Sequence, residues 1–176
     1  MLNPNMKILK DYQKKVERDY FLTEGIIDID QNYFIDKIKK GTEEENNNNF
    51  KTNVTGLMTS WNYFVEDKTF LDLACKFVDY IDKNNKFKDY HLTEAWGFGS
   101  RKYDYTKPHM HGTLFSGVLY LNDHAQSLDF DEINIKIKPN IGKFVLFSSF
   151  LQHKCIRHYE KEIKWGISFN FEEIPN

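Results

Sequence analysis

A chain of 176 residues, 40% hydrophobic and 16% aromatic, can bury one core but not comfortably two, so a single domain over residues 1–176 is expected. Its 24 basic and 26 acidic residues leave a net charge of -2 with no phosphate-tracking basic face, and so no specific nucleic-acid signal. No apolar run approaches the roughly 18 residues of a membrane span, and the opening MLNPNMKILKDYQKK has no apolar signal core, so a cytoplasmic, non-secreted chain without a membrane partner is expected.

Ile8, Leu9, Tyr12, Val16, Tyr20 and Phe21 fall at close to helical spacing, which predicts a surface helix within residues 5–22. A second short helix is predicted from Gln31 to Lys40, ending at Gly41. Residues 42–49, TEEENNNN, read as a polar low-complexity loop, the best candidate for disorder. Phe70, Leu71, Leu73, Ala74, Phe77, Val78 and Ile81 recur at three and four, predicting the strongest helix over 67–82, with one face for a sheet. After Asn85 the period becomes two, in HLTEAWGFG, TLFSGVLYLN, INIKIK, KFVLFSSFL and IKWGISFNF, each separated by Gly, Pro, Asn or Asp. Helices followed by short strands predict an α+β, mainly β, barrel or sandwich: a mostly helical part over 1–85 with its flexible 42–49 loop, then a β core over 86–176. Cys75 and Cys155 are expected as two reduced thiols.

The chemistry centres on KPHMHGTLFSGVLYLN, residues 107–122. On an extended chain His109 and His111 point the same way, about 6–7 Å apart along the strand, and could meet one ion. Taken alone, such a pair is more often a hydrogen-bonded surface feature than a ligand set. Two imidazoles rarely hold a catalytic metal by themselves, so a third ligand from a distant strand is needed. Of His91, His124, His153 and His158, His153 follows the buried strand KFVLFSSFLQ and suits a barrel mouth, whereas His158 among Arg157, Tyr159, Glu160 and Lys161 reads as a solvated hairpin and His124 as a turn residue. A second unusual element is Lys164, which shares a strand face with Gly166, Ser168 and Asn170 while Trp165, Ile167 and Phe169 face the other way. The plainer reading is an edge strand with one solvated face. An inward lysine instead needs a carboxylate, from the protein or from a bound anion.

The order WGFG, HMHG-LFSGVLYLND, P-x-x-G-x-F-V-L-F-S-S-F-L-Q-H, then K-W-G-I-S-F-N-F resembles the iron(II)- and 2-oxoglutarate-dependent oxygenases, over roughly residues 50–172 and including TNVTGLMTSW upstream. It is most similar to the branch of small oxygenases found in marine phages and bacteria. The resemblance implies a double-stranded β-helix (jelly roll) with the N-terminal helices packed on its outside, and Fe(II) and 2-oxoglutarate as metal and cosubstrate. It also implies that the enzyme couples oxidative decarboxylation of 2-oxoglutarate to oxidation of a small-molecule or macromolecular substrate; a homodimer is a separate expectation that the resemblance does not supply. By position, His109, His111 and His153 are implied as the catalytic metal ligands and Lys164 as the partner of the 2-oxoglutarate 5-carboxylate. Ser168 and Tyr120 are implied beside the cosubstrate, with Tyr120, Trp96 and Phe147 as walls. Two positions depart from the family pattern: His111 stands where a carboxylate ligand is usual, and Gly166 where a serine follows the basic residue.

Two other classes compete. A cupin-type metalloenzyme also places HxH on a barrel but needs a glutamate soon after, and Leu114, Phe115 and Ser116 offer none. A non-catalytic or degenerate jelly-roll binding module would keep the fold without 2-oxoglutarate turnover.

Overall fold

The computed structural model describes residues 18–44, 53–84 and 90–174. In chain order the elements are β1 (Leu22–Ile26), α1 (Gln31–Glu44), β2 (Leu57–Met58), α2 (Lys68–Asn84), β3 (Tyr90–Ser100), β4 (Thr106–His109), β5 (Phe115–Tyr120), β6 (Leu128–Phe130), β7 (Ile135–Ile137), β8 (Lys143–Ser148), β9 (His153–Cys155) and β10 (Lys164–Glu173). The strands form a six-stranded sheet, β1-β8-β5-β10-β3-β2, and a four-stranded sheet, β4-β9-β6-β7, with antiparallel pairing throughout.

Strict alternation along the central strands gives the larger sheet two buried faces. On one face Leu119, Leu146, Ile167, Phe169 and Phe171 meet Phe34 and Ile38 of α1 and Phe70, Leu73, Ala74, Phe77 and Ile81 of α2. Phe77 stacks on Phe169 with centroids 5.2 Å apart, so the helix predicted to be strongest covers the middle of the sheet. Asp67 starts that helix by accepting the Phe70 N–H at 2.8 Å, and it pairs with Lys37 of α1, tying the two helices together. On the other face Val118, Tyr120, Val145 and Phe147 meet Leu128, Phe130 and Ile137 of the smaller sheet. Two facing antiparallel sheets with helices outside are the jelly roll expected from the sequence.

The amino-terminal third differs in detail. The helix predicted within 5–22 lies mostly outside the described residues, and its last described positions are not helical: residues 18–21 are irregular and Leu22 opens β1. Pairing decides this stretch, since Leu22 lies opposite Phe147 and the Phe21 N–H donates to Ser148 Oγ at 2.9 Å. The part over 1–85 therefore supplies two strands of the main sheet as well as α1 and α2. Helix α1 does not stop at Gly41 but continues to Glu44, so residues 42–44 of the predicted loop are helical; the rest of it, 45–49, lies outside the described residues. Gly41 is there for close approach: a Cβ would stand 2.7 Å from Tyr63 Cζ and 2.8 Å from Thr59 Cγ2.

His158 is not solvated as expected, and His124, which does lie in the connection between β5 and β6, is enclosed with it. Both are buried and meet edge to face at 4.6 Å. His124 Nδ1 accepts the Gln126 N–H at 3.0 Å, and the Gln126 amide donates to the carbonyls of Asp104 and Ile156 at 3.0 and 2.7 Å, so this corner is closed by hydrogen bonds that short-range polarity does not reveal.

Candidate metal centre

Strand β4 ends on His109 and strand β9 begins on His153, and these two residues are direct antiparallel partners, so their side chains lie on one face. His111 has left the strand, but its N–H donates to the Ser149 carbonyl at 2.9 Å, which turns its ring back towards the pair. The ligand atoms of the three imidazoles all lie within 4.8 Å of one another. His111 Nε2 and His153 Nε2 are 3.3 Å apart. Two nitrogens each about 2.1 Å from one ion and at right angles would stand roughly 3 Å apart, so this spacing fits adjacent positions of a metal's coordination sphere.

The outer hydrogen bonds agree. His109 Nδ1 donates to the Lys107 carbonyl at 2.8 Å and His153 Nδ1 to the Leu151 carbonyl at 2.9 Å, the tautomer that leaves each Nε2 lone pair for an ion. Burial, then the neighbouring His109, pushes His111 down to about 4 and His153 down to about 3, and burial lowers His109 too. All three are neutral at pH 7, the state in which imidazole binds a metal.

The histidines open onto a cavity of about 80 Å³ that runs between the sheets to Lys164. Lys164 is 2% exposed and sits on β10, between β5 and β3, so the edge-strand reading fails. Its ammonium donates to Cys155 Sγ at 3.5 Å and lies 5.8 Å from the centroid of the Phe98 ring. Among the described residues no carboxylate pairs with it. Ser168, Tyr120, Trp96 and Phe147 line the same cavity. Along β10, Lys164, Ser168 and Asn170 line the cavity while Trp165, Ile167 and Phe169 join the helix-side core, but Phe169 borders the cavity as well, so the expected face division is not complete there. Over Gly166 the Phe98 ring takes the place of a side chain, since a Cβ would lie 2.4 Å from Phe98 Cζ.

Several cavity groups escaped the sequence reading. Cys155 alternates with His153 on β9, and that period of two was the available signal. Ser116 shares its face of β5 with Val118 and Tyr120, and its hydroxyl donates to Asn170 Oδ1 at 2.7 Å. Asn170 in turn donates to Glu94 Oε2 at 2.6 Å, while Ser149 Oγ bonds both Ser116 Oγ at 2.7 Å and Thr113 Oγ1 at 2.9 Å. This chain of polar groups steadies Ser149, whose carbonyl holds His111; no local pattern announces it, because it joins four separate segments.

No family model matches the chain, and no curated protein does. Solved structures do match. The viral collagen prolyl hydroxylase vCPH from Paramecium Bursaria Chlorella virus-1, in its 2OG complex, aligns with TM-score 0.71 at 16% identity over 88% of this chain and 96% of that one. A prolyl-4-hydroxylase from Pseudomonas putida aligns with TM-score 0.65 at 14% identity, over 88% and 93%. HygX from Streptomyces hygroscopicus, with nickel and 2-oxoglutarate bound, aligns with TM-score 0.59 at 10% identity, over 88% and 82%. These matches do not support the phage origin suggested by the sequence. At such identities the likeness is one of fold: this chain takes the jelly-roll fold of the 2OG-Fe(II) oxygenases, with a three-histidine cluster at one end of its cavity and a buried lysine within it.

Proposed function

We propose that this chain is an iron(II)- and 2-oxoglutarate-dependent oxygenase. His109, His111 and His153 hold the metal, and Lys164 receives the 5-carboxylate of 2-oxoglutarate. The observation that carries this is the pairing, in one cavity, of three neutral imidazoles at metal-ligand spacing with a buried ammonium that has no carboxylate of its own. A buried cation without a counter-ion costs several kcal/mol, and a dianionic ligand removes that cost. When bound, Fe(II), 2-oxoglutarate and O₂ supply the oxidising chemistry, in which decarboxylation to succinate and CO₂ accompanies oxidation of the substrate.

The protein's own part is placement and exclusion of water. The carbonyls of Lys107 and Leu151 fix the rings of His109 and His153, and the Ser149 carbonyl fixes the backbone at His111. Ser168 and Tyr120 border the cosubstrate, and Trp96 and Phe147 wall the cavity, Trp96 being backed by Trp61 at 4.6 Å. The substrate is a small molecule or a macromolecular side chain, and the chain works in the cytoplasm, as a monomer or homodimer.

Metal analysis of the purified protein, followed by anaerobic titration with 2-oxoglutarate, tests this. One metal per chain and saturable binding of 2-oxoglutarate are expected, with succinate formed once O₂ is admitted. His153→Ala should lose the metal; full metal stoichiometry in that variant refutes the ligand set. A chain that binds neither metal nor 2-oxoglutarate is the non-catalytic jelly-roll module instead.

A further inference from the structure

The contact between Lys164 and Cys155 carries a consequence of its own. The ammonium, 2% exposed, has Cys155 Sγ at 3.5 Å as its only hydrogen-bond partner among the described residues. Both side chains line the cavity, and Cys155 is only partly buried, so a small oxidant can reach the sulfur from the cavity side. The other thiol, Cys75, is exposed on α2, on the opposite side of the main sheet, and cannot compete for Cys155 within the chain.

We propose that Cys155 and Lys164 form a reversible covalent redox switch, a sulfenamide made under hydrogen peroxide. The thiol first reduces the peroxide by two electrons: Cys155–SH and H₂O₂ give Cys155–SOH and water. The Lys164 nitrogen then attacks the sulfur, and one of its protons passes to solvent in the course of the step. A sulfur–nitrogen bond forms, the sulfur–oxygen bond breaks, and the hydroxyl leaves as a second water with a proton from nitrogen. Rotation about the lysine side-chain torsions closes the 3.5 Å gap. Excess thiol reverses the link, returning the amine and leaving the cysteine as a mixed disulfide and then as free thiol.

The effect on the site is direct. A linked nitrogen no longer offers an ammonium to a carboxylate, so oxidation would switch off anion binding while leaving the three histidines in place. That effect rests on the oxygenase reading; formation of the link does not. Conversely, 2-oxoglutarate seated at Lys164 would hold the amine away from the sulfur.

The test treats the full chain carrying Cys75→Ser with hydrogen peroxide and maps it by trypsin digestion and mass spectrometry. Trypsin cuts after an unmodified lysine, so the link removes cleavage after Lys164. It also joins the peptide Cys155-Ile156-Arg157 to the one beginning at Glu162, with a mass equal to their sum less two hydrogens. Dithiothreitol should restore cleavage, and Cys155→Ser should give no link. Oxidation of Cys155 to sulfinic acid with Lys164 still cleaved overturns the switch. Added 2-oxoglutarate with Mn(II) should slow linkage severalfold; linkage unaffected by it upholds the switch and counts against the oxygenase reading.

Discussion

Replacing Lys164 by Met should move stability and binding in opposite directions. The ammonium is 2% exposed, donates only to a thiol sulfur at 3.5 Å and has no carboxylate partner among the described residues, so the folded chain bears most of its desolvation. Exchanging a poorly compensated buried charge for a side chain of similar length gains about 1–4 kcal/mol. In a chain of this size that raises Tm by roughly 2–4 °C per kcal/mol. Binding of 2-oxoglutarate loses a charge-assisted contact in a water-poor cavity, worth about 2–5 kcal/mol, or at least about 30-fold in Kd. Thermal denaturation without ligand and anaerobic calorimetry with Mn(II) and 2-oxoglutarate read the two terms separately. A Met variant that melts lower and binds 2-oxoglutarate as tightly as the parent would refute the reasoning, since Lys164 would then be a structural residue satisfied by Cys155 and Phe98.

Three further outcomes follow from the same geometry. In the metal-free protein His111 and His153 are pushed down to about 4 and about 3 by burial and by His109, whereas in the unfolded chain they take up protons below about pH 6.5. Stability should therefore fall as pH drops from 6.5 towards 4, and bound metal should steepen that fall; a urea midpoint flat across this range would contradict the buried, neutral placement. His111→Asp adds the missing negative charge, so metal competition should shift preference from Zn(II) towards Mn(II) by at least about tenfold, and an unchanged ratio would mean that His111 is not a ligand. Gly166→Ser should not restore a family-like site but destabilise the chain by about 1–3 kcal/mol, because its Cβ would meet Phe98 Cζ at 2.4 Å and the Leu119 carbonyl oxygen at 3.0 Å. Part of that loss should return in the double variant with Phe98→Val, and strictly additive losses would count against the clash.

The residues of the site were legible because strand chemistry has a period of two. His109 and, on the last strand, Lys164 and Ser168 were placed on a face by alternation, whereas His153 was placed only at a strand end and Tyr120 only through the family resemblance; all five line the cavity. His111 reaches it for a different reason. The sequence puts it on the same strand as His109, but β4 ends at His109, and the ring is brought back by the Ser149 carbonyl. The hydrogen bond that completes the triad thus comes from a segment almost forty residues away. Strand β1 escaped the sequence reading for a related cause: the predicted helix ended at Leu22, the stretch after it was given no element, and pairing with β8 selects the extended form of Leu22–Ile26.

Alternation reports which way a side chain points but not what it meets, and the chemistry of this cavity depends on what is met. Lys164 points inward whether its partner is a carboxylate, a ligand or a sulfur, and a sequence pattern cannot choose among them. The fold chooses, by setting Cys155 of β9 at 3.5 Å from the first residue of β10, with no carboxylate ion-paired to that residue among the described ones. The same holds for Gly166, where an absent side chain reads as free space until Phe98, its antiparallel partner on β3, is seen to fill it. A buried lysine that meets a thiol and a phenyl ring has no carboxylate paired with it among the described residues, and that is the physical reason for looking to a bound dianion.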